Sequence, residues 1–568
     1  MKFYSNILTA AALSLLCSCA DLDLQPLDTG SSDSWYKTED EIKASINGLY
    51  RTDFFSLENF QWSDDHQSRD RLNEMTAATV NGETHAVTEM WQVCYKSIAR
   101  CNILLEKLQN YQAIGLSEER AKLYRAQVLF VRATQYARLT SYFGDVVWVD
   151  SELTIEDAFK MGRTDRAEVM EHVYADYDEA AQYLPLSYGT QKELATKAAA
   201  LGLKARYALY NEDWEISAAA AKECMELGSH QLYPDFEKLF LSSTRHACEN
   251  ILSWPTSLEL EIYGESPGNA MGFLPRCRGG YASEYPSWDL FASFLCTDGL
   301  PIDESPLFDP QNPFKNRDPR CAATIVEFGT EHCGVIYDPN PMVTQVYSSV
   351  AGKMVTNLDC KSGSPYASYN GLLRKKGIDE SWINDGSFKV AFDIVFLRYA
   401  EVLLTYAEAK IEAGEIDNSV LEAINRVRAR AYKADYTNTR AYPAVKTTDR
   451  EQLRTIVRTE RRMEFAYEGL RRMDIIRWRI AEKVLNQPDY GLLDKDLLTS
   501  KLIDKQLWFW PETPDIDENG SADFSSLYGQ GYCKIITRRQ FDESKNYLWP
   551  IPSQEVITNP YLGQNDNY

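Results

Sequence analysis

Three carboxylates recur at four-residue spacing: Glu460, Glu464 and Glu468. On a helix such side chains lie about 5–6 Å apart at Cβ. Retaining glycosidases hold their two catalytic carboxyls about 5–5.5 Å apart, so the spacing alone is compatible with glycoside hydrolysis. The neighbours argue otherwise. Arg458, Arg461, Arg462, Arg471 and Arg472 surround the three acids. Guanidinium neighbours lower carboxylate pKa values and keep both members of a pair ionised, which removes the general acid. The pattern reads as a structural ion-pair network. Gly264-Glu265-Ser266-Pro267-Gly268 fits the G-x-S-x-G nucleophile elbow on paper. That elbow uses the amide after the serine in its oxyanion hole, and Pro267 has no N–H. Only His332 follows it as a base, so the segment reads as a turn. The six histidines show neither HExxH nor zinc-ligand spacing.

Asp515-x-Asp517-x-Asn519-Gly520-x-x-Asp523 resembles the start of an EF-hand loop, with oxygens at positions 1, 3, 5 and 9 and glycine at 6. Position 12 is Ser526 rather than a bidentate Glu, and Pro511 and Pro514 precede the run. Calcium at Asp515, Asp517, Asn519 and Asp523 therefore competes with a plain acidic turn, and no other cofactor is expected. The remaining lead is aromatic. The chain holds 34 Tyr, 22 Phe and 12 Trp, too many for all to touch a ligand. Rings on helices, such as Trp91, Trp214 and Trp478, are expected in the core. Rings in irregular segments are better placed to stack on a sugar: Trp62, Tyr263, Phe273, Tyr281 and Trp382. Asp65, Arg69, Asn81 and Arg278 are expected to hydrogen-bond hydroxyls beside them.

Helical periodicity marks the elements that must carry these loops. It appears near 38–50, over 89–108, 118–143 and 169–183, and in the pair 195–210 and 214–227. A second pair, about 396–411 and 421–431, and a long helical region over 450–485 come later. Ala-rich helix pairs joined by short turns look like tetratricopeptide units of about 34 residues. Such pairs bury their faces only against neighbours, so the expected class is mainly α, a helical superhelix with a large irregular capping region. The expected division is a signal peptide over 1–18, a tether over 19–35, helical scaffold over 36–230, a loop-rich ligand-binding region over 231–390, helical scaffold over 391–486, and an irregular region over 487–568.

Charge narrows the function classes. The formal net charge is −23. An acidic surface repels phosphate backbones, which argues against nucleic acid as a partner. The apolar run Ile7–Leu16 behind Lys2 is too short to span a bilayer, which needs roughly 20 residues, and reads as an export signal. It ends in Leu16-Cys17-Ser18-Cys19, which resembles a bacterial lipobox with Cys19 as the modified thiol. Two or more acyl chains there would anchor the protein stably. The ten later cysteines are dispersed without a CxxC pair, and most are expected as buried free thiols.

A series of motifs then resembles the SusD/RagB lipoprotein family across nearly the whole chain. They are Asp21-Leu22-Asp23-Leu24-Gln25-Pro26; Trp91…Tyr95…Ile98…Asn102; Arg132-Ala133…Tyr136…Phe143-Gly144-Asp145; Tyr285-Pro286…Asp289-Leu290-Phe291; and Asn316-Arg317-Asp318-Pro319-Arg320. Leu397-Arg398-Tyr399-Ala400-Glu401, Ala423-Ile424-Asn425-Arg426-Val427-Arg428 and Glu460-Arg461-Arg462…Glu464-Phe465…Glu468-Gly469…Arg471-Arg472 continue it. Leu548-Trp549-Pro550-Ile551-Pro552…Gln564-Asn565…Tyr568 closes it, with Asn567 where the family usually has glycine. The resemblance implies a tetratricopeptide-like scaffold capped by a loop-rich half that carries the ligand site. It also implies display on a Bacteroidetes-type outer membrane, as a lid on a TonB-dependent transporter resembling SusC. The expected role is non-catalytic glycan capture. The alternatives are a peptide-binding member of the same fold, a helical scaffold that binds only protein, and a secreted hydrolase.

Overall fold

The computed structural model describes residues 35–57, 59–69, 71–151, 153–189, 193–383 and 386–568. The expected signal 1–18, the lipidation residue Cys19 and the tether up to residue 34 lie outside the described residues.

Local sequence sets each helix start. In α1 (Glu39–Asn47) the Thr38 hydroxyl accepts from the Glu41 amide, and the Glu41 carboxylate accepts from the Thr38 amide. This capping box satisfies two amides that the first turn leaves open. The larger scaffold helices are α2 (His85–Gln109), α3 (Glu118–Phe143), α4 (Arg166–Tyr183), α5 (Lys197–Tyr210), α6 (Trp214–Glu226), α7 (Tyr399–Ala413), α8 (Asn418–Ala431) and α9 (Arg450–Phe465). Consecutive members pack side by side, α2 on α3, α3 on α4, α4 on α5 and α5 on α6. The chain then leaves the stack and rejoins it with α7 against α6, followed by α8 on α7. Two sequence-distant blocks thus form one tetratricopeptide-like stack around one continuous apolar core. Small residues permit the close approach: Ala198, Ala199, Ala205, Ala220, Ala221, Ala400 and Ala407 are all sealed inside.

The helical region expected over 450–485 is broken. α9 stops at Phe465, and after a turn with Tyr467 and Gly469 in the left-handed region the chain resumes as α10 (Arg471–Arg477) and a short helix, Ala481–Val484. The turn has a physical reason: it aims the Glu468 carboxylate at Lys376 and Arg398, both buried.

A first short strand, β1 (His66–Ser68), lies between α1 and α2. Between α6 and α7 the chain forms short strands and loops: β2 (Asn250–Trp254), β3 (Glu284–Pro286), β4 (Thr330–His332), β5 (Val335–Tyr337), β6 (Gln345–Ser348), β7 (Lys353–Thr356) and β8 (Ile394–Arg398). β2 pairs antiparallel with β8, so the start and end of the excursion are clamped together beside the stack. β1 pairs with β3, and β4 to β7 form one small antiparallel sheet. An aromatic core centred on Trp288, Phe291, Phe509, Trp510 and Phe524 holds this half together.

The glutamates of α9 join the halves. Glu460 and Glu464 are fully buried. Arg320 reaches both, at 2.7 and 3.1 Å, while Arg398 reaches Glu464 at 2.6 Å and Glu249 at 2.7 Å. Burial works against ionising Glu464, but Arg430, Arg398 and Arg320 overcome it and hold the carboxyl far below its usual range. The four-residue spacing therefore serves an ionised network, as expected, but through arginines from other elements; Arg461, Arg462 and Arg471, the neighbours in sequence, pair instead with Asp474 and Asp64. Breaking one member of such a network leaves a buried charge uncompensated.

Candidate functional site

The site grows from the β1–β3 pair. β1 is held from below by Arg462 of α9. Its Nε donates to Asp65 Oδ1 at 2.8 Å, its Nη2 to Asp64 Oδ2 at 2.9 Å and Asp289 Oδ2 at 2.5 Å, and its Nη1 to the Gly520 carbonyl at 2.7 Å. Arg471 adds two bonds to Asp64. Burial opposes charge on Asp64, but Arg471 and Arg462 hold it well below the ordinary range. Asp65 is pushed up, by burial first and by the Asp64 charge among the rest, although Arg462 pulls the other way.

One residue past β1, Arg69 extends across the loop surface. Its Nη2 donates to the carbonyls of Tyr281 (2.9 Å) and Tyr366 (3.2 Å), and its guanidinium lies 5.5 Å from the Tyr366 ring and 5.7 Å from the Tyr369 ring. Arg276 donates to the same Tyr281 carbonyl at 3.0 Å and lies 5.9 Å from the Tyr366 ring. Lys361 Nζ sits 4.0 Å from the Tyr369 centroid and donates to the Ala367 carbonyl at 3.2 Å. Tyr281 and Tyr366 keep 48% and 56% of their surface exposed, large values for rings anchored by their own backbone. The anchoring depends on Gly280: a Cβ there would lie 2.2 Å from the Leu274 carbonyl oxygen, so only glycine lets the loop turn here. Two exposed rings, flanked by guanidiniums with unused N–H groups, offer flat apolar faces beside hydrogen-bond donors. That combination suits the C–H face and hydroxyls of a sugar ring.

The sequence candidates divide sharply. Arg69 and Tyr281 converge here. Tyr366, Tyr369, Arg276 and Lys361 join them and were not singled out from sequence, although the run Lys361–Tyr369, with its Ser, Gly, Pro and Tyr, carries the loop composition that marks such segments. The other candidates have other work. Trp382 is 1% exposed and stacks on Phe392 at 5.7 Å, so neither face is open to a ligand. Phe273 is equally buried in the same small core. Asp65 is locked to Arg462 and is a structural acid. Trp62 packs half-buried with its ring 5.4 Å from Trp549. Asn81 accepts from the Glu83 amide in a turn joined to the C-terminal segment through the Gly82 carbonyl and Ser553 amide. Arg278 lies within electrostatic reach of the buried Cys333 thiol. Tyr263 is half-buried with Lys389 5.3 Å from its ring, on a loop of its own.

Of two other sequence motifs, the G-x-S-x-G segment expected as a turn starts a helix, and the acidic one is a turn. Ser266 caps the helix Pro267–Phe273, its hydroxyl accepting from the Asn269 amide. Asp517 accepts from the amides of Asn519 and Ser521 at the tip of a small hairpin in which Asp515 faces Asp523. Among the described residues no three His, Cys, Asp or Glu side chains group as a metal site. The ten described cysteines after Cys19 are free, and all but Cys248 and Cys277 are buried. A separate cavity of about 470 Å³ opens between α2 and the C-terminal helix Ser553–Thr558, lined by Trp91, Tyr95, Ile98, Phe159, Met161 and Glu555 among others. Its lining is mostly apolar. The amides of Asn102 and Asn559 donate to the carbonyls of Val149 and Met161, which suits it poorly to sugar hydroxyls.

Comparison with known proteins agrees with this architecture. Residues 260–568 match the model of the SusD family, and residues 29–209 match a model described as starch-binding, associating with outer membrane. A SusD-like protein, P2, from Formosa agariphila is 24% identical over 592 residues, covering 100% of this chain and 99% of its own. A solved SusD-like carbohydrate-binding protein from Bacteroides fragilis is 28% identical with a TM-score of 0.74, over 93% of this chain and 99% of that one. A laminarin-binding SusD-like protein superposes with a TM-score of 0.60 at 19% identity, over 94% and 100%.

Proposed function

The chain belongs to the SusD family, and we propose that it captures glycan at the outer-membrane surface and passes it, unchanged, to a TonB-dependent transporter of the SusC kind. Cys19 would carry the lipid anchor, and residues 20–35 would tether the folded body to it. The observation that carries this reading is the convergence of Tyr281 and Tyr366 with Arg69 and Arg276 on the irregular half. Stacking on an exposed ring gives sugar affinity without requiring a general acid or nucleophile. The paired carboxylates that could have supplied one are buried among arginines. The relative that binds laminarin supports a glycan as the ligand class.

Affinity electrophoresis of the purified protein through gels containing single polysaccharides tests this. At least one glycan retards the wild type, and Tyr281→Ala or Tyr366→Ala lowers the retardation about tenfold or more, the loss of one stacking contact with its buried area. Failure of every glycan, with binding of an extended peptide instead, would overturn the glycan assignment in favour of the peptide-binding alternative.

A further inference from the structure

The platform gathers cations that have no carboxylate in ion-pair contact among the described residues. Among the described residues Arg69, Arg276 and Lys361 form no ion pair, and the polar atoms nearest them are mainly backbone carbonyls. Arg69 Nε and Arg276 Nε are sealed from water, so contact with a ligand falls to the Nη groups. The nearby Asp359 carboxylate is buried and turned to the amides of Arg276 and Cys277, at 2.6 and 3.1 Å. Asp494 is taken by Lys534, at 2.6 Å. Such a cluster is unexpected on a chain with 83 acidic and 60 basic residues, where a loose cation has many partners to choose from. The like charges also oppose one another: burial first, then Lys534 and Arg69, push Lys361 down to about 7, against the pull of Asp494.

A neutral sugar needs rings and a few hydrogen bonds, not two guanidiniums without an ion-pair partner among the described residues, beside a lysine amine held about half-charged at neutral pH that a bound anion would charge fully. Half-buried guanidiniums match carboxylate and sulfate oxygens, and hydrogen bonds to a charged partner are roughly twice as strong as neutral ones. We infer that the glycan gripped by Tyr281 and Tyr366 is anionic, its uronate carboxylates or sulfate esters seated on Arg69, Arg276 and Lys361. This rests on the glycan-capture reading and narrows it to a substrate class. The neutral tyrosine faces take the ring, and the cations select the substituent.

Calorimetry on the wild type with polygalacturonate, alginate, chondroitin sulfate and carrageenan, against laminarin, starch and methyl-esterified polygalacturonate, tests the inference. An acidic glycan binds at least tenfold tighter than the neutral ones. If that glycan is polygalacturonate, esterification removes the gain. Uronate and sulfate ligands separate the two sources of charge. Arg276→Gln and Lys361→Gln weaken the acidic glycan tenfold or more and any neutral glycan less than threefold. Arg276→Lys, which keeps the charge, recovers part of the loss and shows that the loop still folds. A neutral glycan bound best, with Arg276→Gln indifferent, would overturn the inference and leave glycan capture standing. No binding by any glycan would sink both.

Discussion

Replacing Arg462 by Met tests whether the charged network under β1 positions the platform. Arg462 is 4% exposed and makes four hydrogen bonds to three segments that are far apart in sequence. Met fills similar volume without charge. Asp64 keeps Arg471, and Asp289 keeps the Ala522 amide at 2.6 Å. Asp65 is left with Arg471 at 3.9 Å, beyond a good hydrogen bond. Removing one partner of a buried ion pair costs about 3–5 kcal/mol. The retained Arg471 contacts favour the lower half of that range, so about 3 kcal/mol is expected. Urea unfolding followed by tryptophan fluorescence measures the total. Hydrogen exchange of the β1 and β3 amides locates it, with the protection of His66–Ser68 falling most. Because Arg69 follows β1 directly, glycan affinity drops as well. A second variant, Asp65→Asn with Asp289→Asn in the Arg462→Met background, removes the orphaned charges and recovers part of the stability. A loss below about 1 kcal/mol, the range of exposed pairs, or unchanged exchange at β1, would refute the reasoning.

Acidification should destabilise the fold. Guanidinium charges, with Lys376 beside Arg398 at Glu468, overcome burial and hold Asp64, Glu408, Glu464, Glu468 and Asp474 below the ordinary range. A lowered folded pKa contributes stability above the unfolded value, near about 4, that is lost as pH falls toward the folded one. Asp65, Asp359 and Asp489, pushed up by burial, act with opposite sign and soften the trend. The urea midpoint therefore falls from pH 5 toward pH 2, and a midpoint that rises on acidification contradicts the network. Gly280→Ala forces a Cβ against the Leu274 carbonyl oxygen and should cost about 1–3 kcal/mol. Its glycan retardation falls with that of Tyr281→Ala, and wild-type retardation would disprove the loop's role. Labelled fatty acid should enter the protein in a bacterial host and be lost in Cys19→Ala; incorporation that persists in the variant would overturn that anchor.

The helical half was legible because its signals are local. Periodicity and end signals set the bounds of α3 and the α5–α6 turn, and capping at Thr38 and Ser117 starts α1 and α3. That Glu460 and Glu464 sit in an ion-pair network was legible, but not their partners: Arg320, Arg398, Arg428 and Arg430 come from other elements, while Arg461 and Arg462 beside them on α9 turn to Asp474, Asp64 and Asp65. The break at 466–470 was not legible, because it is fixed by Arg398 and Lys376, far away in sequence. The site was half legible for the same reason. Composition marks a residue as loop-borne but does not say which side faces out. Trp382 and Tyr281 both sit in irregular chain, yet Phe392 and Phe273 enclose the first, while Arg69 and Arg276 prop the second outward. Tyr366 was missed because the guanidiniums that bring it to Tyr281 come from elsewhere in the chain, Arg276 and, 297 residues before Tyr366, Arg69 at the edge of β1.

The most direct test is a crystal structure of the protein with an oligosaccharide that it retains in gels. A sugar ring lying within about 4 Å of the Tyr366 or Tyr281 ring, with its substituents on Arg69 and Arg276, is the predicted result. A sugar seated instead in the apolar cavity beside Trp91 and Tyr95, with both tyrosine faces bare, would contradict the account.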